Sequence, residues 1–237
     1  MKLSAPIYRL KRNARLLSRE RNIPLNQALN EIARQEGCKS WSLLAARLSA
    51  EAPATRLFGQ LRQGDLLLVG ARPGQGKTLL GLELALEAIK SGACGKFFSL
   101  EYALQDVRGC LGAIGADQGL LRNRFEFDGS DAISADYLIA ALAGALRGTL
   151  AVIDYLQLLD QKRDRPALMT QVNALKAFAA ERGLILIFLS QIDRSYDASE
   201  KPCPGLADVR LPNPLDLTLF NKACFLNNGE INFQTVH

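Results

Sequence analysis

The stretch "VGARPGQGKT", residues 69–78, decides how the chain reads. It closes on Gly76-Lys77-Thr78, the end of a phosphate-binding loop of the form G-x-x-x-x-G-K-[ST], but Ala71 stands where that pattern begins with glycine. Immediately before it, the apolar run "DLLLVGA" (65–71) predicts a short buried strand, and a helix is expected from Lys77 to about Lys90. That strand–loop–helix order is what phosphate binding requires. Gly74 and Gly76 let backbone N–H groups curl around phosphates, and the helix N-terminus adds partial positive charge. Lys77 would reach the β- and γ-phosphates and Thr78 would ligate Mg²⁺, with Gln75 and Leu79 completing the nucleotide contacts.

Outward from the loop, strands and helices alternate. "GKFFSLE" (95–101) predicts a second strand, followed by a helix to about Gly115. "RFEFD" (124–128) predicts a third, with a helix across 134–147. "TLAVIDYLQLL" (149–159), a helix at 167–182 and "LILIFLSQ" (184–191) continue the series. "LDLTLFNKACFL" and "GEINFQTV" read as a closing pair of strands around the Asn-Asn-Gly turn at 227–229. The expectation is an α/β fold, with a mainly parallel sheet covered on both faces.

A nucleotide hydrolase needs further groups at the ends of neighbouring strands, where ligands gather in open α/β sheets. Asp154, in "LAVIDYLQLL", is placed to hold the magnesium sphere. Glu101, closing "KFFSLE", is the candidate base for an attacking water. Gln191, in "IFLSQIDRS", is the candidate sensor of the γ-phosphate. The catalytic set is therefore Lys77, Glu101 and Gln191.

Together these segments resemble the RecA-like C-terminal ATPase domain of the DnaB-type replicative helicases. That family's loop reads A-R-P-x-x-G-K-T, as "ARPGQGKT" does, so Ala71 is a family variant of the loop. "FFSLEYALQDVRGCLGA" is similar to the family's S-L-E-M strand and following helix. "VIDYLQLL" is similar to its magnesium-binding strand, and "VNALKAFAAERGLILIFLSQIDRS" to its L-K-x-L-A-x-E and L-S-Q-L-N-R-S segments. The likeness runs from residue 57 to about 225. It implies a RecA-like P-loop core that uses ATP and Mg²⁺, binds single-stranded DNA, and assembles into a ring or filament. It also implies that Arg72 lies near the nucleotide and Arg194 near the phosphate edge or a subunit boundary. In the loop "DQKRDRPALM", Lys162, Arg163 and Arg165 fall where the family contacts DNA, although Asp160 and Asp164 leave a solvated mixed-charge loop as the other reading.

Two departures from the family stand out. Its late basic segment, a lysine and an arginine two apart that reach a neighbouring subunit's nucleotide, has no counterpart here. Lys222 is the one Lys or Arg after Arg210. The large N-terminal collar is replaced by a short basic head. Residues 1–50 carry ten Lys/Arg against three Asp/Glu, while the other residues carry nineteen against twenty-one, so the head holds the whole positive surplus. Its pattern predicts three short helices around Trp41. Ile7, Leu10, Ala14 and Leu17 face inward on the first, and Leu25, Ala28, Leu29, Ile32 and Ala33 on the second. Trp41, Leu44 and Leu48 do so on the third, behind a Ser40 cap. Arg9, Arg12, Arg15 and Arg19 lie on the opposite side of the first helix. They form either a surface for nucleic-acid phosphates or an acidic partner, or an ordinary solvated face.

The expected organisation is a basic helical module at 1–50, a linker at 51–56 and the ATPase domain at 57–237. No apolar run approaches the ~18–20 residues of a membrane span, no signal peptide is evident, and five scattered cysteines form no CxxC pair. The chain therefore reads as cytoplasmic. Two functions stay open: a DNA helicase or translocase driven by ATP, and a slow ATPase switch that regulates a DNA or protein partner. A small-molecule kinase is disfavoured by the lack of an arginine-rich lid.

Overall fold

The computed structural model describes residue 4 and residues 7–44, 52–160, 166–198, 203–211 and 213–236. Two compact units are distinguished, 1–56 and 57–237.

In the first unit, α1 (Ile7–Glu20) and α2 (Leu25–Gln35) form an antiparallel pair. Leu10 and Ala14 pack on Ala28 and Ile32, with Leu17, Ile23, Leu29 and Trp41 around them. The turn between the helices is fixed by Ser18 Oγ, which donates to the Ile23 carbonyl at 2.7 Å. Trp41 also packs on a second cluster of Ala33, Cys38 and Leu44, and its backbone N–H donates to Asn30 Oδ1 at 2.8 Å. Ser40 Oγ accepts from Leu43 N, as a cap should. Leu25 corrects the expectation: as the first residue of α2 it lies at the end of the apolar stripe and is exposed. Leu48 and the side chain of Ile7 lie outside the described residues. Arg12, Arg15 and Arg19 are exposed. Within the stretch read as a linker, Pro53–Phe58 forms helix α3, with proline at the first helical position, where its missing N–H costs nothing.

The second unit is built on seven strands: β1 (Leu66–Ala71), β2 (Gly95–Ser99), β3 (Phe125–Asp128), β4 (Leu150–Asp154), β5 (Ile185–Gln191), β6 (Lys222–Asn227) and β7 (Glu230–Thr235). Their order in the sheet is β3-β2-β4-β5-β1-β6-β7, and every pairing is parallel except β6 with β7. β1 and β4 are buried along their whole length, which is why they read as unbroken apolar runs. On one face, Leu66, Leu68, Ala151, Ile153, Leu186 and Phe188 pack with α7 (Ala135–Leu142) and α8 (Leu168–Arg182). On the other lies α4 (Lys77–Lys90), where a Cβ at Gly81 would stand 3.0 Å from Val152 Cγ1, tighter than ordinary contact. Helices α5 (Leu104–Ala113) and α6 (Gln118–Leu121) fall between β2 and β3. This is a RecA-like α/β domain with a mostly parallel sheet.

The structure shortens three of the expected elements. β4 stops at Asp154, and Leu156–Asp160 tightens into a 3₁₀ turn that buries Leu156 and Leu159 in the core. Helix α7 ends at Leu142, ahead of Gly144. Before β6 the chain makes a 3₁₀ turn, Leu217–Leu219, capped by Asp216, and only Lys222 onward is strand. At the start of β6, Lys222 Nζ meets Asp65 Oδ2 at 2.7 Å and also donates to the Gln60 carbonyl. No helix among the described residues is long and apolar enough to cross a membrane.

Candidate active site

Because β1, β2, β4 and β5 are parallel, their carboxyl ends share one edge of the sheet, and the expected site residues gather there. The phosphate loop leaves β1 at Ala71 and turns into α4 through Gly74 (φ 79°) and Gly76 (φ 86°). No neighbouring atom lies within 4 Å of where a Cβ would stand at either residue, so the left-handed backbone is what calls for glycine there. Lys77 and Thr78 open the helix and are both buried, whereas Leu79 is 40% exposed and faces away from the core. Gln75 is half-buried, and its Oε1 accepts from Asn228 N at 2.7 Å, tying the loop to the tip of the β6–β7 hairpin. Arg72 is half-buried, and its Nη1 donates to the Arg194 carbonyl at 3.4 Å.

Asp154 ends β4 with no exposed surface. Thr78 Oγ1 donates to its Oδ2 at 3.2 Å, and its Oδ1 is buried without a hydrogen-bond partner. An anionic oxygen left unmet beside a threonine hydroxyl fits the hard oxygen donor set that Mg²⁺ prefers. Burial pushes the Asp154 pKa from its ordinary 3.8 up to about 6; nearby Lys77 pulls it down, Glu101 pushes it up, and the Thr78 hydrogen bond lowers it. Lys77, Thr78 and Glu101 therefore all act on Asp154.

A carboxyl whose pKa is higher folded than unfolded supports the fold while protonated, and that support is lost as pH rises through about 6. In nucleotide-free protein, stability should therefore fall by up to about 3 kcal/mol between roughly pH 4 and 7 on account of this group. Urea unfolding across that range checks it, with Asp154→Asn, neutral throughout, flattening the profile. Parallel profiles for the two proteins would show that Asp154 carries no burial cost.

Glu101 lies two residues beyond the end of β2, in a bend and exposed, where a strand-end position was expected. Its backbone N–H donates to Ser99 Oγ at 3.1 Å, and that serine is wholly buried. Gln191 ends β5 opposite Ala71 of β1 and is half-buried. Lys162, Arg163 and Arg165 lie outside the described residues. Arg12, Arg15 and Arg19 belong to the other unit.

Sequence reasoning passed over Ser99, Ser190 and Gln157. Both serines interrupt apolar strands one or two residues before a candidate site residue, a signal that was available in "FFSLE" and "FLSQ". Gln157 carried no such mark, because its role depends on a segment fifty residues downstream.

The second unit is thus an α/β domain of the RecA-like, phosphate-loop class. Residues 134–213 match the family model of the DnaB-like helicase C-terminal domain. Over 187 residues, 65% of this chain and 41% of the relative, the sequence is 27% identical to the replicative DNA helicase DnaB of Geobacillus stearothermophilus. The chain therefore spans about two fifths of that relative's length. The fold is similar to a DnaB-like replicative helicase whose structure was described with its interactions with primase (TM-score 0.61, 18% identity, 95% of this chain and 73% of that one covered). It is also similar to a separately solved ATPase domain, with a TM-score of 0.58 and 17% identity over 81% of this chain and 92% of that one. A KaiC-like protein of the archaeon Pyrococcus horikoshii shares the fold too (TM-score 0.53, 16% identity, 74% and 80% covered). The domain is thus similar to the RecA-like C-terminal domain of DnaB-type helicases.

Proposed function

We propose that the chain is a Mg²⁺-dependent ATPase of the DnaB-like helicase type that acts on DNA. The observation that carries this reading is the meeting of Thr78 and Asp154 at the strand edge, within electrostatic reach of Lys77 and Glu101. The loop from Arg72 to Leu79 would wrap the ATP phosphates, with backbone N–H groups and the Lys77 ammonium opposing their charge. Thr78 Oγ1 and the unpartnered Asp154 Oδ1 would face Mg²⁺, which when bound shields the phosphate charge that builds up as the γ-phosphoryl leaves. Glu101, exposed and anchored through Ser99, would accept a proton from the attacking water. Gln191 would contact the γ-phosphate from the neighbouring strand end.

Single-stranded DNA is the proposed substrate of movement, held by Lys162, Arg163 and Arg165 and by the arginines of the basic head, in a homo-oligomeric ring or filament. A second reading, a slow switch that regulates a partner without unwinding, is favoured by the state of Lys222. Lys222 starts β6 and is paired with Asp65 at the edge of the sheet opposite the phosphate loop, away from where a neighbouring nucleotide's phosphates would be met. Steady-state ATP hydrolysis with and without single-stranded DNA, at several protein concentrations, tests both. A motor is expected to be stimulated by DNA, the more so as protein concentration rises. A slow rate indifferent to both would leave the switch, and no ATP turnover at all would end the ATPase reading.

A further inference from the structure

Strand β4 stops at Asp154, whose partner on β5 is Leu189, so Ser190 and Gln191 run on past it. On their β1 side the ladder continues, with Gly70 opposite Ser190 and Ala71 opposite Gln191. On the other side residues 208–210 take over. Arg210 N donates to the Gln191 carbonyl at 2.9 Å, Asp193 N to the Asp208 carbonyl at 2.8 Å, and Ile192 bridges to Val209.

Gln157 fills the junction between β4 and this segment. Its Nε2 donates to the Arg210 carbonyl at 2.7 Å and to Ser190 Oγ at 3.1 Å. Ser190 is wholly buried, and Gln157 itself is 9% exposed. The Oε1 of the same amide is buried with no hydrogen-bond partner. An unmet buried acceptor is costly, and this cost offsets much of what the two donated hydrogen bonds contribute to stability. What the amide adds is a tie between three segments: the turn that follows Asp154, the end of β5, and the strand-like 208–210.

We infer that Gln157 is a positioning residue whose side-chain amide fixes the Gln191 end of β5 against the Asp154 end of β4. The inference rests on the proposed reading of Asp154 and Gln191 as metal-facing and γ-phosphate-facing groups. Their relative placement matters little for ground-state binding, which the loop and Lys77 dominate. It matters for the step in which the γ-phosphoryl leaves, where small misplacements lower the rate.

The test is Gln157→Met in the full chain, which removes the donor and the orphaned acceptor at nearly constant volume. The melting temperature should change little, since relief of the orphaned acceptor offsets the loss of the two donated hydrogen bonds, while kcat for ATP should fall about tenfold and KM should stay within about twofold. Ser190→Ala, which removes one of the two partners, should lower kcat less, and should add nothing in the Gln157→Met background. A wild-type kcat in Gln157→Met, or a lowered melting temperature with unchanged turnover per folded molecule, overturns the inference. If Gln157→Met does not fold, Ser190→Ala alone decides: unchanged kcat overturns it. Failure of the underlying reading looks different. Wild-type turnover that is absent, or that survives Glu101→Gln, removes the site assignment and this inference with it. Glu101-dependent turnover that ignores Gln157→Met removes the inference only.

Discussion

Lys77→Ala should lose ATP affinity by about a hundredfold or more, the effect of deleting a buried, charge-assisted contact to phosphate. Lys77 is only 8% exposed, and its position as the first residue of α4 sets its charge at the mouth of the loop. It also lowers the pKa of Asp154, so its removal leaves that carboxyl free to take up a proton and remain neutral. The fold should therefore survive the substitution while binding does not. Titration with a fluorescent ATP analogue, alongside circular dichroism to confirm folding, measures both. A dissociation constant within about threefold of wild type would show that the phosphates are held by something other than this loop.

Glu101→Gln should separate binding from turnover. The amide keeps the size and the backbone hydrogen bond from Glu101 N to Ser99 Oγ, and loses the ability to take a proton. ATP affinity should stay within about threefold, while single-turnover hydrolysis should fall about a thousandfold, within the range that general-base catalysis supplies. The side chain raises the pKa of Asp154, so its neutral replacement should also ease the ionisation of that aspartate and favour metal binding. Turnover near the wild-type level would remove Glu101 as the base and leave water activation to another group.

Much of the fold was legible because buried parallel strands announce themselves. "LLLVGA", "LAVID" and "ILIFLS" are unbroken apolar runs bounded by turns, and each is a strand. The misreadings occurred where apolar residues serve the core without being strand. Leu156 and Leu159 extend the run after Asp154 but are buried by a tight turn, and before β6 Leu217 and Leu219, partly buried in another such turn, pack against the same core. Periodicity cannot separate such a turn from a strand, since both place leucine inward. Of the candidate site, the placing of Lys77 and Thr78 at the start of α4 follows from strand–loop–helix order, whereas the meeting of Thr78 with Asp154 needs β4 to lie beyond β5 in the sheet. The links from Gln75 to Asn228 and from Gln157 to Arg210 do not follow from that order either, because each joins parts of the chain whose proximity only the sheet order decides.

That order also bears on how the domain is made. β1, which launches the phosphate loop, lies between β5 and β6, both from late in the sequence, while β2 and β3, the strands translated next, lie across the sheet from it. During synthesis the loop's own strand thus waits with both edges unpaired until residues near 190 and then 226 have emerged. An apolar strand with bare edges is a ready partner for the wrong neighbour. Chains released before β6 would keep every phosphate-loop residue and Asp154, yet would lack the strand that closes one side of β1, so presence of the motif in a shortened chain is no measure of a finished site.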